Sequence, residues 1–164
     1  MNKVLEFFIV ALVLHQPAVH RVRRELDTVI GSDRLPDFGD INHLPYVNAF
    51  IHEVLRWRTI TPLGIPHAVI QDDECTGYHI PRGTTVLANN WALELDKTLF
   101  KDTDAFHPDL WLEASKLPTS AFGFGKRTCP GHSMSHGDLY SLSFLALCRV
   151  MILVTLILQS IGRN

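Results

Sequence analysis

A chain of 164 residues with a hydrophobic fraction of 46% has enough apolar sequence to form one domain with a core. That fraction argues against wholesale disorder, and a formal net charge of -2 argues against a nucleic-acid-binding surface. Cys75, Cys129 and Cys148 lie far apart and form no C-x-x-C pair, so neither a disulfide scaffold nor a cysteine-rich zinc module is indicated. Such cysteine usage favours a reducing, cytosol-facing location.

The first third of the chain predicts three helices. Apolar residues recur at helical spacing over residues 4–30, where Pro17 is expected to break the pattern into two helices and Gly31 to end the second. A polar loop is predicted over residues 33–42. Pro45 then stands where proline prefers to begin a helix, and the apolar residues after it follow the i, i+4 spacing of an amphipathic helix.

The middle of the chain changes its hydrophobic period. Short apolar runs at 68–70, 78–80 and 84–88 are separated by turn residues and predict a small antiparallel sheet. A loop region then leads to a glycine-bearing turn, and residues 132–148 return to a helical pattern. The predicted fold class is therefore mainly α with a small antiparallel β-sheet (α+β).

Two apolar stretches have some features of membrane segments. Residues 4–14 are short for a span, and no small-residue cleavage site follows them. Residues 142–158 are of borderline length, but Arg149 lies near their centre, where a charge is unfavourable. A buried helix followed by an apolar tail is the favoured interpretation, and a small protein that spans the membrane at 142–158 is the alternative.

The segment Phe122–Gly131 is the most informative part of the chain. It predicts a glycine-bearing turn that presents Cys129, with proline and glycine directly after it and a helical pattern beyond. A cysteine at the mouth of a helix is suited to be a thiolate, because the helix dipole and the free N–H groups favour a negative sulfur. Such a sulfur can be the axial ligand of a haem iron. An inert buried cysteine after a Gly-rich turn is the first alternative.

A zinc site is the second alternative for this segment. Cys129, His132 and His136 have the spacing C-x2-H-x3-H, which could place three ligands on one helical turn. A fourth ligand is not evident, although His107 or water could serve. The glycine and arginine upstream of the cysteine have no role in such a zinc site.

The cysteine segment resembles the haem-binding pattern of the cytochrome P450 family, in which Phe, Gly, Arg, Cys and Gly follow at fixed spacing. The matching residues are Phe122, Gly125, Arg127, Cys129 and Gly131. The resemblance implies that Cys129 is the axial ligand of the haem iron and that Arg127 holds a haem propionate. It also implies that Phe122 packs beside the sulfur, while Gly125 and Gly131 shape the turn.

Further positions extend the resemblance. Glu53 and Arg56 stand i, i+3 on the helix after Pro45, and such a pair is usually an exposed ion pair that contributes little. Its place before the cysteine turn resembles the Glu-x-x-Arg helix of the family, where the pair is buried and braces the cysteine segment. The implied role of both residues is structural. His67 matches a position that commonly offers a cation to a haem propionate.

Two departures from the family's pattern concern this brace. Leu110 stands where the family usually has the arginine that completes it, and Glu94 stands where a histidine is common. A buried pair without its third partner is expected to leave acceptor positions unsatisfied, and a half-satisfied buried network is unfavourable. These departures therefore bear on stable folding more than on family membership.

The resemblance covers residues 4–148 and only the C-terminal portion of the family's fold. It implies a single partial domain over 1–164, with a divergent apolar tail at 149–164. The implied activity is that of a haem-thiolate monooxygenase, most like fungal members, that oxidises a small lipophilic organic substrate with O2. Electrons would come from an NADPH-dependent reductase at the cytosolic face of the endoplasmic reticulum membrane, a location compatible with membrane association.

The alternative function is a non-catalytic remnant that binds haem weakly or not at all. The family's membrane anchor, the acid–alcohol pair that handles proton delivery to bound oxygen, and most of the substrate pocket have no counterpart in the sequence. Residues 4–14 and 46–55 are accordingly expected to lose packing partners and to present an exposed apolar patch.

Overall fold

The computed structural model describes residues 2–31, 34–113, 117, 119–132, 137 and 140–141. The helices in this part of the chain are α1 (Asn2–Leu14), α2 (Gln16–Val29), α3 (Pro45–Trp57), α4 (Asn90–Glu94) and α5 (Leu110–Glu113). The strands are β1 (His67–Ala68), β2 (Asp73–Cys75), β3 (Tyr78–Ile80) and β4 (Thr85–Val86), and there are 3-10 helices at Phe38–His43 and Gly125–Arg127. The prediction of a mainly helical fold with a small antiparallel β component is confirmed.

Helices α1 and α2 meet at His15 and are bent by 100° relative to each other. The sequence predicted the break at Pro17, but this proline lies in the first turn of α2, where its missing N–H removes no hydrogen bond. The side-chain amide of Gln16 donates to the carbonyl of Leu12 at 2.7 Å and so caps the end of α1. His15 stacks on Phe106, with ring centroids 4.3 Å apart, which holds the bend against the core.

In the described residues, no single helix is long and apolar enough to cross a membrane, although the bent pair of α1 and α2 would pass by length and composition. The apolar stretch at 142–158 and the tail at 149–164 lie outside the described residues. So does most of the helix predicted over 132–148, but its four described members are all helical: His132, Gly137, Tyr140 and Ser141.

Helix α3 is the centre of the core. Nine of its 13 residues are buried, and it packs against α1, α2 and α5. Phe50 meets Phe8 and Phe106 edge-on, at 5.6 and 5.1 Å between ring centroids, a favourable geometry for aromatic pairs. The expectation that residues 46–55 lack packing partners is wrong, because neighbouring helices of the same chain bury this face. Helix α1 does present exposed apolar side chains, Ile9, Val10, Val13 and Leu14.

The N-terminus of α3 is capped by a carboxylate from α2. The backbone N–H groups of Tyr46 and Val47 donate to the two oxygens of Glu25, at 3.0 and 2.8 Å. The first N–H groups of a helix have no partner within it, and the helix dipole favours negative charge there. Pro45, which has no N–H to satisfy, begins the helix. Glu25 therefore sets where α3 starts relative to α2.

The strands form two separate two-stranded antiparallel ladders rather than one sheet. β1 pairs with β4, and β2 pairs with β3 in a hairpin. The hairpin turn is Thr76–Gly77, and both residues have positive φ, 50° and 84°, as a tight type I′ turn requires. The strands are short and mostly exposed, so they add little to the core.

A paired carboxylate organises the turn before α3. Arg34 donates to both oxygens of Asp40, at 2.7 and 2.6 Å, and the backbone N–H of Asp37 donates to Asp40 at 2.9 Å. The side chain of Asp37 in turn accepts from the N–H of Gly39 at 2.7 Å. The Arg34 hydrogen bonds, and then the one from Asp37, lower the pKa of Asp40 to about 2.

Asp40→Asn should weaken the fold at neutral pH and flatten its acid dependence. Because the folded pKa of Asp40 lies below its ordinary value of 3.8, the carboxylate stabilises the fold above that value, and this contribution is lost as pH falls through about 2. Urea unfolding midpoints from about pH 6 to pH 2 would measure the slope. The exposed Asp104→Asn is the matched control, and parallel acid profiles for the wild type and Asp40→Asn would contradict this assignment.

Candidate functional site

The predicted cysteine turn is a closed loop, here called the cysteine loop, over residues 120–132. The backbone N–H of Cys129 donates to the carbonyl of Phe122 at 2.8 Å and closes it. Gly123 and Gly125 have φ of +76° and +59°, a region where other residues are strained. The two glycines thus let the chain reverse within eight residues and return to Phe122.

A 3-10 turn leads directly to the cysteine. Both the backbone N–H and the hydroxyl of Thr128 donate to the carbonyl of Gly125, at 3.2 and 2.8 Å. Cys129 follows and is exposed, and its carbonyl accepts from the N–H of His132 at 3.1 Å, where the next helical turn begins. The backbone of Cys129 is therefore held by hydrogen bonds, while its side chain lies at the surface. The alternative of a buried inert cysteine is wrong.

The two sides of the cysteine loop differ in polarity. On the core side, half-buried Phe122 packs against the hydrophobic cluster and meets the ring of His132 edge-on at 4.5 Å. Tyr140, beyond the loop, is buried in the same cluster, and burial raises its pKa to about 12. On the outer side, Lys126 and Arg127 are exposed in the 3-10 turn. The loop is therefore attached by aromatic groups and presents cations near Cys129.

The remaining predicted residues lie at two places. Gly131 is half-buried in the turn after Cys129. His67 lies away from the loop in sequence, on the exposed strand β1, opposite Val86 of β4. Neither His67 nor Arg127 forms an ion pair with another residue in the described ranges. Both side chains are exposed and therefore accessible to an external anion.

Glu53 and Arg56, the two residues of the predicted brace, form a buried ion pair. Glu53 and Arg56 are 0% and 3% exposed, and two hydrogen bonds of 2.8 and 2.7 Å join the guanidinium to both carboxylate oxygens. The remaining donors of Arg56 reach the backbone carbonyls of Glu94, Thr103 and Ala105, at 3.1, 2.9 and 2.9 Å. All five N–H donors of the guanidinium are therefore used.

The expectation that the brace has unsatisfied acceptors is wrong. The indole N–H of Trp111 donates to one oxygen of Glu53 at 2.9 Å, and the backbone N–H of His107 donates to the other at 2.7 Å. These donors complete the network in which Leu110 supplies none. The sequence carried a signal for this, since a tryptophan that packs in a protein usually finds an acceptor for its N–H. Trp111, next to Leu110, was such a tryptophan.

A second buried carboxylate connects the brace with the cysteine loop. Glu94 is 3% exposed, and its side chain accepts hydrogen bonds from the backbone N–H of Ser120 at 3.1 Å and from the Ser120 hydroxyl. Burial, above all, raises the pKa of Glu94, partly offset by the hydrogen bonds from Ser120. Sequence reasoning identified Glu94 only as a departure from a pattern and did not foresee this contact.

The described residues contain no group of three His, Cys, Asp or Glu side chains that could hold a metal ion. The zinc alternative needs His136, which lies outside the described residues. Of its other members, Cys129 and His132 are close through their backbones, and His107 contributes its N–H to the brace.

Comparison with known proteins identifies the family. The family model for cytochrome P450 matches residues 1–151. The chain belongs to the cytochrome P450 family. The match extends beyond the predicted range of 4–148 at both ends.

Fungal proteins are among the similar curated proteins, as the sequence predicted. The chain is 53% identical over 139 residues to cytochrome P450 monooxygenase FrzL from Cladobotryum sp, and 48% identical over 139 residues to fumitremorgin C synthase from Neosartorya fischeri. Each match covers 85% of this chain but only 27% and 26%, respectively, of the relative. The P450 chain described here thus spans about a quarter of the length of these relatives.

Solved structures agree with this assignment. A zebrafish cytochrome P450 with progesterone superposes with a TM-score of 0.84 at 36% identity, and covers 89% of this chain and 34% of its own. A structure of a zebrafish P450 with abiraterone gives a TM-score of 0.81 at 35% identity, with 88% and 34% coverage. The helices, ladders and cysteine loop therefore form part of the P450 fold.

Two ion pairs with the same sequence spacing and the same shortest N–O distance should differ greatly in their contribution to stability. Glu53–Arg56 and Lys3–Glu6 are both i, i+3 pairs at 2.7 Å, but their side chains are 0–1% and 54–69% exposed. Glu53→Gln should lower the free energy of unfolding by about 3–5 kcal/mol, because it leaves a buried guanidinium without its counter-charge. Glu6→Gln should lower it by at most about 1 kcal/mol. Denaturant unfolding of both variants would check this, and similar losses would contradict it.

The indole donor to the brace is testable separately. Trp111→Phe keeps an aromatic ring but removes the N–H that reaches Glu53, so it should lower the free energy of unfolding by about 1.5–3 kcal/mol, as for hydrogen bonds to charged groups. Trp91→Phe is the control, because Trp91 is 60% exposed. An equal loss in the two variants would mean that the indole N–H does not contribute.

Proposed function

We propose that this chain forms the cysteine-bearing part of a haem site in which Cys129 is the axial ligand of the iron. The observation that carries the proposal is the exposed Cys129 on a loop whose backbone is closed at Phe122. The family implies a haem cofactor, and the donor set fits one. A haem iron receives four nitrogens from its porphyrin and needs a single strong protein ligand, which one cysteine can supply.

The cations of the site suit the carboxylates of a haem. Arg127, two residues before Cys129, is exposed in the 3-10 turn and is proposed to hold one propionate. His67, exposed on β1, is proposed to hold the other propionate. Hydrogen bonds between such cations and carboxylates are stronger than neutral ones, and would fix the orientation of the ring.

The shape of the loop supports the remaining roles. Phe122 is proposed to shield the sulfur from water, since it is half-buried between the core and His132. Gly125 and Gly131 would allow the backbone to pass close to the cofactor without a side chain in the way. When bound, a haem with a thiolate ligand supplies the capacity to activate O2, because the thiolate favours cleavage of the O–O bond.

The activity proposed for the whole protein is oxidation of a small lipophilic organic substrate with O2. An NADPH-dependent reductase at the cytosolic face of the endoplasmic reticulum membrane is the proposed electron source. Family membership and the similarity to cytochrome P450 monooxygenase FrzL support this reaction class. Because the chain spans 27% of that relative, the proposal assigns ligand binding to these 164 residues and turnover to the whole protein.

The test is the absorption spectrum of the 164-residue chain with haemin, reduced and exposed to carbon monoxide. The wild type should give a strongly red-shifted Soret band, which is characteristic of thiolate ligation, and Cys129→Ala should abolish it. Cys75→Ala is the matched control, because Cys75 is also an exposed free cysteine but lies on β2. It should keep the band.

Two results would contradict the proposal. An unshifted band that is identical in the wild type and Cys129→Ala would mean that the loop does not supply the ligand. That result would favour the alternative, a chain that binds haem weakly or not at all. Loss of the band in Cys75→Ala, with retention in Cys129→Ala, would mean that Cys75 on β2 is the ligand instead of Cys129.

A further inference from the structure

Glu94 touches both the brace and the cysteine loop. Its backbone carbonyl accepts from Arg56 at 3.1 Å, while one oxygen of its side chain accepts from the N–H of Ser120 at 3.1 Å and from the Ser120 hydroxyl. Glu94 and Ser120 are each 3% exposed, so water does not compete for these hydrogen bonds. Glu94 therefore contacts the Glu53–Arg56 pair through its backbone and the cysteine loop through its side chain.

We propose that Glu94 is a positioning residue that ties the cysteine loop to the Glu53–Arg56 brace through Ser120. The proposal rests on the ligand role proposed above for Cys129. It adds an element that the resemblance did not assign, since the resemblance marks Glu94 only as a replacement for histidine.

Two backbone hydrogen bonds link Ser120 with Cys129, the proposed iron ligand. The carbonyl of Ser120 accepts from the N–H of Gly123 at 3.0 Å, and the next turn brings the carbonyl of Phe122 to the N–H of Cys129 at 2.8 Å. A shift of Ser120 would therefore move both ends of the loop that carries the sulfur. Groups that orient a metal ligand in this indirect way typically change metal affinity by about 10–100-fold when they are removed.

Burial, hydrogen bonds and neighbouring charges shift the pKa of Glu94 in opposite directions. The charged groups that face it are Arg56, which lowers its pKa, and Glu53, which raises it, while burial is the largest influence and raises it. Glu53 already accepts four N–H hydrogen bonds, as a carboxylate does. The other oxygen of Glu94 is buried without a hydrogen-bond partner among the described residues. A change at Glu94 therefore acts on the loop through the carboxyl oxygen that accepts from Ser120.

A pH dependence follows with a definite sign. Burial raises the pKa of Glu94 above its ordinary value of 4.5, so the contribution of this residue to the free energy of unfolding falls as pH rises through the folded pKa. The hydrogen bonds from Ser120 act in the opposite direction, because they favour the ionised carboxylate. Glu94→Gln keeps the acceptor oxygen for Ser120 and cannot ionise, so it should retain the anchor without the pH dependence. Glu94→Ala removes the anchor at every pH.

Hydrogen exchange of the haem-free 164-residue chain gives a readout that does not depend on the cofactor. In Glu94→Ala, the amides of Ser120, Gly123 and Cys129 should exchange about tenfold faster or more, as expected for loss of a buried hydrogen bond, while those of α3 stay protected. Glu94→Gln should behave like the wild type. Glu74→Gln is the control for the same chemical change at an exposed carboxylate on β2.

Haem affinity is the second readout. Glu94→Ala should bind haemin about 10-fold more weakly or worse, with a smaller fraction of red-shifted Soret band. Ser120→Ala removes only the hydroxyl and should give a smaller loss of haem affinity. It replaces Glu94→Ala in this experiment if that variant does not fold.

The outcomes separate this proposal from the proposed function. Unchanged loop exchange in Glu94→Ala, or in Ser120→Ala if the first variant is unfolded, would overturn the positioning role. Unfolding midpoints of the wild type and Glu94→Gln that change in parallel with pH would contradict the raised pKa of Glu94. Absence of a Cys129-dependent band in the wild type would overturn the haem proposal alone, because loop exchange still tests the connection to the brace.

Discussion

The buried ion pair of Glu53 and Arg56 is the interaction on which the rest of this structure depends. Taking both charges out of water carries a penalty of several kcal/mol per ion, which only close pairing and complete hydrogen bonding can offset. Here both conditions are met, since every guanidinium donor and both carboxylate oxygens have partners. The partners belong to segments from Glu94 to Trp111, so the pair fastens α3 to the chain that leads into the cysteine loop.

The hydrogen-bond network of the Glu53–Arg56 pair is completed without a third charged residue. Where the family usually has arginine, Leu110 contributes no donor, and the neighbouring Trp111 supplies a neutral indole N–H instead. A neutral donor leaves the pair electrically balanced, whereas a second guanidinium would add a positive charge. The buried carboxyl of Glu94 lies beside this pair, and its burial raises its pKa.

One side of the cysteine loop is attached to the core, and the other side is exposed. Phe122 and Ser120 join it to the aromatic core and to Glu94, and the hydrogen bonds inside the loop hold its backbone. Its outer side leaves Cys129 and two cations at the surface. A ligand loop benefits from this division, because a metal-binding atom must be accessible while its position is set by buried contacts.

The sequence alone determined the family, the fold class and the candidate ligand, because these depend on local patterns: the spacing around Cys129, the helical period, and the i, i+3 position of Glu53 and Arg56. Local pattern also placed α3, but misplaced the break at Pro17, since proline suits a first helical turn as well as an interruption. Only the tertiary structure decided that the ion pair is buried and satisfied, and that Glu94 meets Ser120. Those facts depend on contacts between residues 26 to 58 positions apart, which no local pattern encodes.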